Sequence, residues 1–163
     1  MEFRTAQAGD LAEIVDIYNA SIPGRMVTAD TEPVTVHGRL SWFQKHNEHT
    51  RPLWIISAEE QTIGWVSFGN FYGRPAYSGT AEISIYLHPN CQGKGYGKQI
   101  LQHSIARSKT LQIHTLLGFI FSHNEPSIRL FKKAGFEEWG MLKEIAIMDG
   151  QRYSLSIFGL KIK

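Results

Sequence analysis

The stretch from Thr80 to Gly97, TAEISIYLHPNCQGKGYG, limits the fold more than any other part of the chain. Ala81, Ile83, Ile85 and Leu87 alternate with Glu82, Ser84 and Tyr86, the period of a strand with two distinct faces. Gly93, Gly95 and Gly97 follow at alternate positions, and Ile100, Leu101 and Ile105 then recur at helical spacing, which predicts a helix from Tyr96 to about Leu111. A strand that runs through a glycine loop into a helix turns the helix's free first-turn amides into that loop, where the helix dipole also favours an anion. An ordinary strand-to-helix turn is the alternative, but it seldom needs three glycines and two flanking lysines, Lys94 and Lys98.

The flanking sequence fits an α/β arrangement. Glu2–Gln7 reads as a short strand, Asp10 as the cap of a helix through Leu11, Ile14, Val15 and Tyr18 that ends near Pro23, and Val34–His46 as a second helix. LWIISA and TIGWVSFGNF, separated by EEQ, read as a hairpin. After the glycine loop and its helix, HTLLGFIF returns to strand, and Asn124, Pro126 and Gly135 mark the cap, first turn and stop of a short helix. EEWGMLKEIAIM and RYSLSIFGLKI form two last strands joined by Asp149-Gly150. The order β, α, α, β, β, β, α, β, α, β, β, without repeat or linker, predicts one α/β domain over residues 1–163 with a mixed sheet.

Composition removes several classes of function. Seventeen Lys and Arg against fifteen Asp and Glu leave a net charge of +2, scattered along the chain, and no nucleic-acid partner is expected. Leu116–Phe121 is too short to span a bilayer, and MEFRTAQAGD lacks the basic start and apolar centre of a signal peptide, so a soluble cytoplasmic protein is expected. Cys91 is the only cysteine; it excludes an intrachain disulfide and has no base beside it in sequence. His46 and His49 lack an acidic or cysteine partner at ligand spacing, so no metal is expected. Trp42, Trp54, Trp65 and Trp139 suit a core or a dimer interface.

The loop itself narrows the ligand. Gly93 plus five is Lys98, which breaks both the Walker spacing and the dinucleotide fingerprint. Gln92, Gly95 and Gly97 instead fit Gln or Arg, two residues, Gly, one residue, Gly or Ala, and the stretch resembles the coenzyme A pyrophosphate loop of the GNAT superfamily of N-acetyltransferases. FRTAQAGDLAEIVDIYN, DTEP, GRPAYSGTAEISIYLHP and NEPSIRLFKKAGF extend the resemblance over nearly the whole chain, towards the phosphinothricin and methionine sulfoximine acetyltransferase branch. That resemblance implies a mostly antiparallel mixed sheet of about seven strands with about four helices. It also implies acetyl-CoA as the acetyl donor, a small amine as acceptor and a homodimer.

Carried over by position, the resemblance lays the thioester arm along Ile85, Tyr86 and Leu87, with the Leu87 amide stabilising charge on the thioester carbonyl. It places the pyrophosphate on Gln92, Gly93, Lys94, Gly95, Tyr96, Gly97 and Lys98, and the rest of the arm by Asn124 and Ser127. Glu82 matches the acidic position of the family's strand and is the expected base, for an amine must lose a proton before it attacks a thioester. Phe131 occupies the place where many members carry a tyrosine acid, so the acid is left open among Tyr86, Tyr96, Ser127, His123 and solvent. An amino-acid acceptor offers a carboxylate that Arg74 can grip with two prongs, unless Arg74 is simply a solvated loop residue. Tyr72 and Tyr77 are the expected walls, with Asn19, Ile22 and Thr28 as further ones. A polyamine or peptide acceptor, or coenzyme A binding without turnover, are the alternatives.

Overall fold

The computed structural model describes residues 1–163. Seven strands form one sheet: β1 (Glu2–Thr5), β2 (Leu53–Ala58), β3 (Gln61–Asn70), β4 (Thr80–Leu87), β5 (Thr115–Phe121), β6 (Glu137–Met148) and β7 (Gln151–Lys161). They lie in the order β1-β2-β3-β4-β5-β7-β6, and every neighbouring pair is antiparallel except β4 with β5. The helices are α1 (Leu11–Ser21), α2 (Val36–Gln44), α3 (Tyr96–Ser108) and α4 (Glu125–Lys133). A parallel pair cannot be joined by a tight turn, and α3 supplies the crossover that β4 and β5 need. The mixed, mostly antiparallel sheet with its four helices is therefore the one the family resemblance implied.

Local chemistry explains most boundaries. Asp149 and Gly150, at φ 51° and 75°, make the two-residue turn between β6 and β7, and Glu59 and Glu60, at φ 52° and 62°, make an equivalent turn between β2 and β3. Asn124 caps α4 by accepting the Ser127 N–H at 3.2 Å, and Gly135, at φ 94°, follows its end. Thr35 caps α2 in the same way through the Gly38 N–H at 3.0 Å, which sets a later start than the apolar pattern indicated. Asp10 does not cap α1. Its carboxylate accepts from the Arg4 guanidinium at 2.7 and 2.8 Å and from the Gln7 N–H at 2.7 Å, which holds it in a short 3-10 turn before the helix.

Apolar side chains cover both sheet faces. Phe68, Ile83, Leu116 and Phe158 meet Ile100 of α3 and Phe131 of α4 on one side; Ile55 and Trp65 meet Ile14 and Tyr18 of α1 on the other. α4 lies against β5 closely enough that a Cβ added to Gly118 would stand 2.4 Å from Phe131 Cε1. Phe131 is thus a buried core side chain packed against the Gly118 main chain of β5. Gly118→Ala is expected to destabilise the fold by about 1–3 kcal/mol through overpacking. Urea unfolding of Gly118→Ala, alone and with Phe131→Leu, measures the cost, and the smaller partner should recover part of it.

Candidate active site

β4 and β5 pair over three rungs only, Thr80–Thr115, Ala81–Leu116 and Glu82–Leu117. β4 nevertheless stays paired with β3 through Leu87, and β5 with β7 through Phe121. Beyond Glu82 and Leu117 the two strands therefore separate, each held by its outer neighbour. The His88 N–H donates to the Ile63 carbonyl at 2.9 Å, which fixes the phase of the β3–β4 ladder: Ser84 and Tyr86 face β3, whereas the N–H and C=O of Ile85 and Leu87 face the gap. On the opposite wall the Ser122 N–H donates to Ser154 at 2.9 Å, and Phe119 and Phe121 by the same alternation turn their backbone groups to the gap. Both walls are strand edges open to an extended guest.

The glycine loop lies past the end of β4. Gly93 and Gly95 hold φ 73° and 81°, and a Cβ on either would point into open space. Gly95 is the residue before α3 and carries no capping side chain, so the first-turn amides of α3 lack the partner that a serine or aspartate gives elsewhere. Gly97 serves a different purpose. It lies inside α3, where a Cβ would come within 3.3 Å of Leu130 Cδ2, so its absence lets α3 approach α4. Lys94 and Lys98 are both exposed, and Tyr96 packs against the core.

Glu82 stands on the last paired rung, at the vertex of the gap. Alternation puts it on the α1 and α2 face of β4 with Ser84 and Tyr86. No hydrogen bond or ion pair engages its half-buried carboxyl, and burial pushes its pKa above the usual carboxylate value. Tyr86 stacks on Trp65 at 4.5 Å and lies 5.0 Å from Tyr18, a ring cluster with no clear signal in the spacing of the sequence. Burial raises the Tyr86 phenol well beyond its ordinary range.

Arg74, Tyr72 and Tyr77 share the loop between β3 and β4, all exposed. Phe71, not singled out in the sequence, anchors this loop: its ring lies 4.5 Å from Tyr72, 5.3 Å from Tyr77 and 6.5 Å from Phe119 of β5. The other wall residues turn inward. Asn19 spends its amide on the Val34 backbone, with Nδ2 donating and Oδ1 accepting at 2.9 Å each; Ile22 is core; Thr28 is buried against Tyr18 and Asp30.

Residues 25–27 bridge the open end of the gap. The Arg25 carbonyl accepts from His123 Nε2 at 2.8 Å, the Met26 carbonyl from Asn124 Nδ2 at 2.9 Å, and the Val27 carbonyl from the Tyr86 hydroxyl at 3.4 Å. Asn124 is buried, and its amide is engaged by the α4 cap and this strap, which turns it away from a direct reach into the gap; Ser127 is half-buried in the first turn of α4 beside it. The Arg25 guanidinium also forms a two-pronged pair with Asp149 at 2.8 and 3.1 Å.

A channel edged by free backbone between parallel strands, an uncapped helix start at its mouth and an unpartnered carboxyl at its vertex define a site for acyl transfer. The family model described as Acetyltransferase (GNAT) domain matches residues 1–137, and the chain belongs to that family of N-acetyltransferases. YwnH of Bacillus subtilis (strain 168), provisionally named a phosphinothricin acetyltransferase, is 50% identical over 163 residues, 99% of each chain. The L-methionine sulfoximine/L-methionine sulfone acetyltransferase of Pseudomonas aeruginosa is 29% identical over 160 residues, 98% of this chain and 93% of the relative. The crystal structure of a GNAT superfamily phosphinothricin acetyltransferase (Pat) from Sinorhizobium meliloti in complex with AcCoA aligns at TM-score 0.91 and 27% identity, over 99% of this chain and 88% of that one.

A carboxyl whose folded pKa is raised binds its proton more tightly in the folded state, so it lowers stability as pH rises from the unfolded value towards the folded one. Glu82→Gln is therefore expected to melt higher than the parent at pH 8, with the difference shrinking below about pH 4.5. Thermal unfolding across pH reads this, and equal differences at both ends would contradict it.

Proposed function

We propose that this chain transfers an acetyl group from acetyl-CoA to the α-amine of a small amino acid or analogue of the phosphinothricin, methionine sulfoximine or methionine sulfone type. The observation that carries the proposal is the backbone-edged gap with Glu82 at its vertex. The residues fit the donor. Ile85 and Leu87 offer unpaired backbone groups to an arm that bears amides, with Tyr86 between them, and the amides from Gly93 to Lys98, with Gln92 and the two lysines, offer positive charge to a pyrophosphate.

Acetyl-CoA supplies the acetyl group as an activated thioester. Glu82 takes the proton from the acceptor's ammonium, directly or through one water, and its raised pKa brings it closer to that task. The amine attacks the carbonyl carbon while a gap-facing N–H of β4, that of Ile85 being nearer Glu82 than that of Leu87, faces the developing negative oxygen. The C–N bond forms and the C–S bond breaks within one ternary complex. Cys91 has no part in this, standing beyond the far end of β4 from Glu82. Asn124 and Ser127 act through the start of α4, Arg74 binds the acceptor's carboxylate, and Tyr72 and Tyr77 flank it.

Release of CoA thiol across an amine panel tests the proposal: methionine sulfone, methionine sulfoximine and phosphinothricin should give saturable release, and a polyamine or short peptide little. Glu82→Gln should lower kcat by about a hundredfold or more while acetyl-CoA affinity holds. The acid limb of the parent's kcat/KM profile should lie above the ordinary carboxylate value. Turnover of the polyamine or peptide alone would overturn the acceptor class, and acetyl-CoA binding without any turnover would point to a binding module.

A cytoplasmic homodimer belongs to the same proposal. The edge strand β6 leaves Met141, Ile145 and Ile147 at 53%, 58% and 66% exposure, an apolar edge suited to a second copy. Sedimentation of the parent should give a dimer and Ile147→Lys a monomer; a monomeric parent overturns this part.

A further inference from the structure

A small cavity of about 130 Å³ opens on the face of the sheet that α1 and α2 cover. Tyr18, Trp42, Trp65 and Tyr86 give it aromatic walls, and Ser67 and Ser84 also line it. The two serines are cross-strand partners, Ser67 on β3 and Ser84 on β4. On the same face Gly69 and Glu82 form the pair before them, and Trp65 and Tyr86 the pair after. A Cβ added to Gly69 would meet nothing nearer than Glu82 itself, at 4.0 Å, so the face beside Glu82 is open.

Most polar groups around the cavity are already engaged. The Trp65 indole N–H donates to the Ile14 carbonyl at 3.1 Å, the Tyr86 hydroxyl donates to the Val27 carbonyl at 3.4 Å, and the Tyr18 hydroxyl is shared with Thr28 and Asp30. The Arg39 guanidinium lies over the Tyr18 ring, 4.5 Å from its centre, and donates to Asp30 at 2.9 Å, so its charge is matched. The two serines differ. Ser67 is only 5% exposed and Ser84 half-buried, yet neither hydroxyl has a hydrogen-bond partner in the protein. A buried hydroxyl left unpaired costs free energy, and a ligand that supplies the missing acceptor recovers it.

We propose that Ser67 and Ser84 select the acceptor's side chain by donating to the oxygens of a tetrahedral sulfur or phosphorus head group, while the aromatic walls receive its methyl. The inference rests on the amino-acid acceptor proposed above and names the part of it that this cavity reads. Phosphinothricin, methionine sulfone and methionine sulfoximine share such a head, a sulfur or phosphorus that bears a methyl and at least one oxygen. Four bonds separate that atom from the α-amine. Two residues along a strand span about 7 Å, so an amine held at Glu82 brings the head group beside the serine pair. A hydroxyl can donate to the neutral oxygen of a sulfone as well as to the charged oxygen of a phosphinate. Methionine, with a thioether in that place, offers only a weak acceptor.

The test compares methionine sulfone with methionine, which keeps the amine, the carboxylate and the chain length but lacks the head-group oxygens. For the parent, kcat/KM should favour the sulfone. Ser67→Ala combined with Ser84→Ala should cut that preference about tenfold or more, mainly through the KM of the sulfone. An unchanged preference, whether both activities hold or both fall, would make the serines part of the scaffold and overturn the inference. Ser84→Ala alone adds a second measurement should the double variant fail to fold. It should cut the preference about threefold or more, whereas Ser84→Thr, which keeps the hydroxyl, should hold most of it. An unchanged ratio in Ser84→Ala would overturn the inference. Equal use of sulfone and methionine by the parent overturns this inference alone, whereas failure of the parent on every amino-acid analogue overturns the proposed acceptor as well.

Discussion

Hydrogen bonding between β4 and β5 stops at Glu82 and Leu117, and the geometry of the site follows from that stop. Backbone groups left without a strand partner must find water or a ligand. Here they line two facing walls, and each wall keeps its shape because β3 and β7 hold it from outside. The closeness of α4 supports the same arrangement, since Phe131 lies directly on Gly118, the first β5 residue beyond the last paired rung. A side chain that packs this closely on main chain cannot also serve as an acid in the gap.

Two charges without counter-ions lie near the closed end of this gap, Glu82 at its vertex and Arg51 against the Thr80 carbonyl at the start of β4. Glu82 has no cation to lower its pKa, and Arg51 has no anion to neutralise it. Each costs stability, since desolvation of a charge is repaid in full only by a partner. Their opposite signs are compatible with the amino-acid acceptor proposed above, which carries an ammonium and a carboxylate.

Much of this was legible before any coordinates. The alternation in β4, the Asp149-Gly150 turn and the Asn124 cap are local patterns, and they gave elements of the right type in the right order. The glycine spacing was legible as a motif but not in its detail, because Gly97 answers to Leu130, a neighbour set by tertiary packing. The same limit applies to the acceptor side. Asn19, Ile22 and Thr28 fall in the loop region that suggests a wall, yet their partners Val34, the α1-side core and Tyr18 take them inward. Arg51 gave no sign at all, since nothing adjacent in sequence reveals that a residue before β2 will be buried beneath the β3–β4 loop.

The strap over residues 25–27 is attached by its carbonyls, and its three acceptors answer to three separate side chains, His123, Asn124 and Tyr86. Met26 and Val27 contribute no side-chain hydrogen bond to that attachment. The Met26 side chain is half-buried and that of Val27 exposed, and both can vary without cutting the strap loose. A segment held in this way lets the side chains at those two positions change while the path of the main chain is inherited intact, which separates variation over the open end of the gap from the upkeep of the fold.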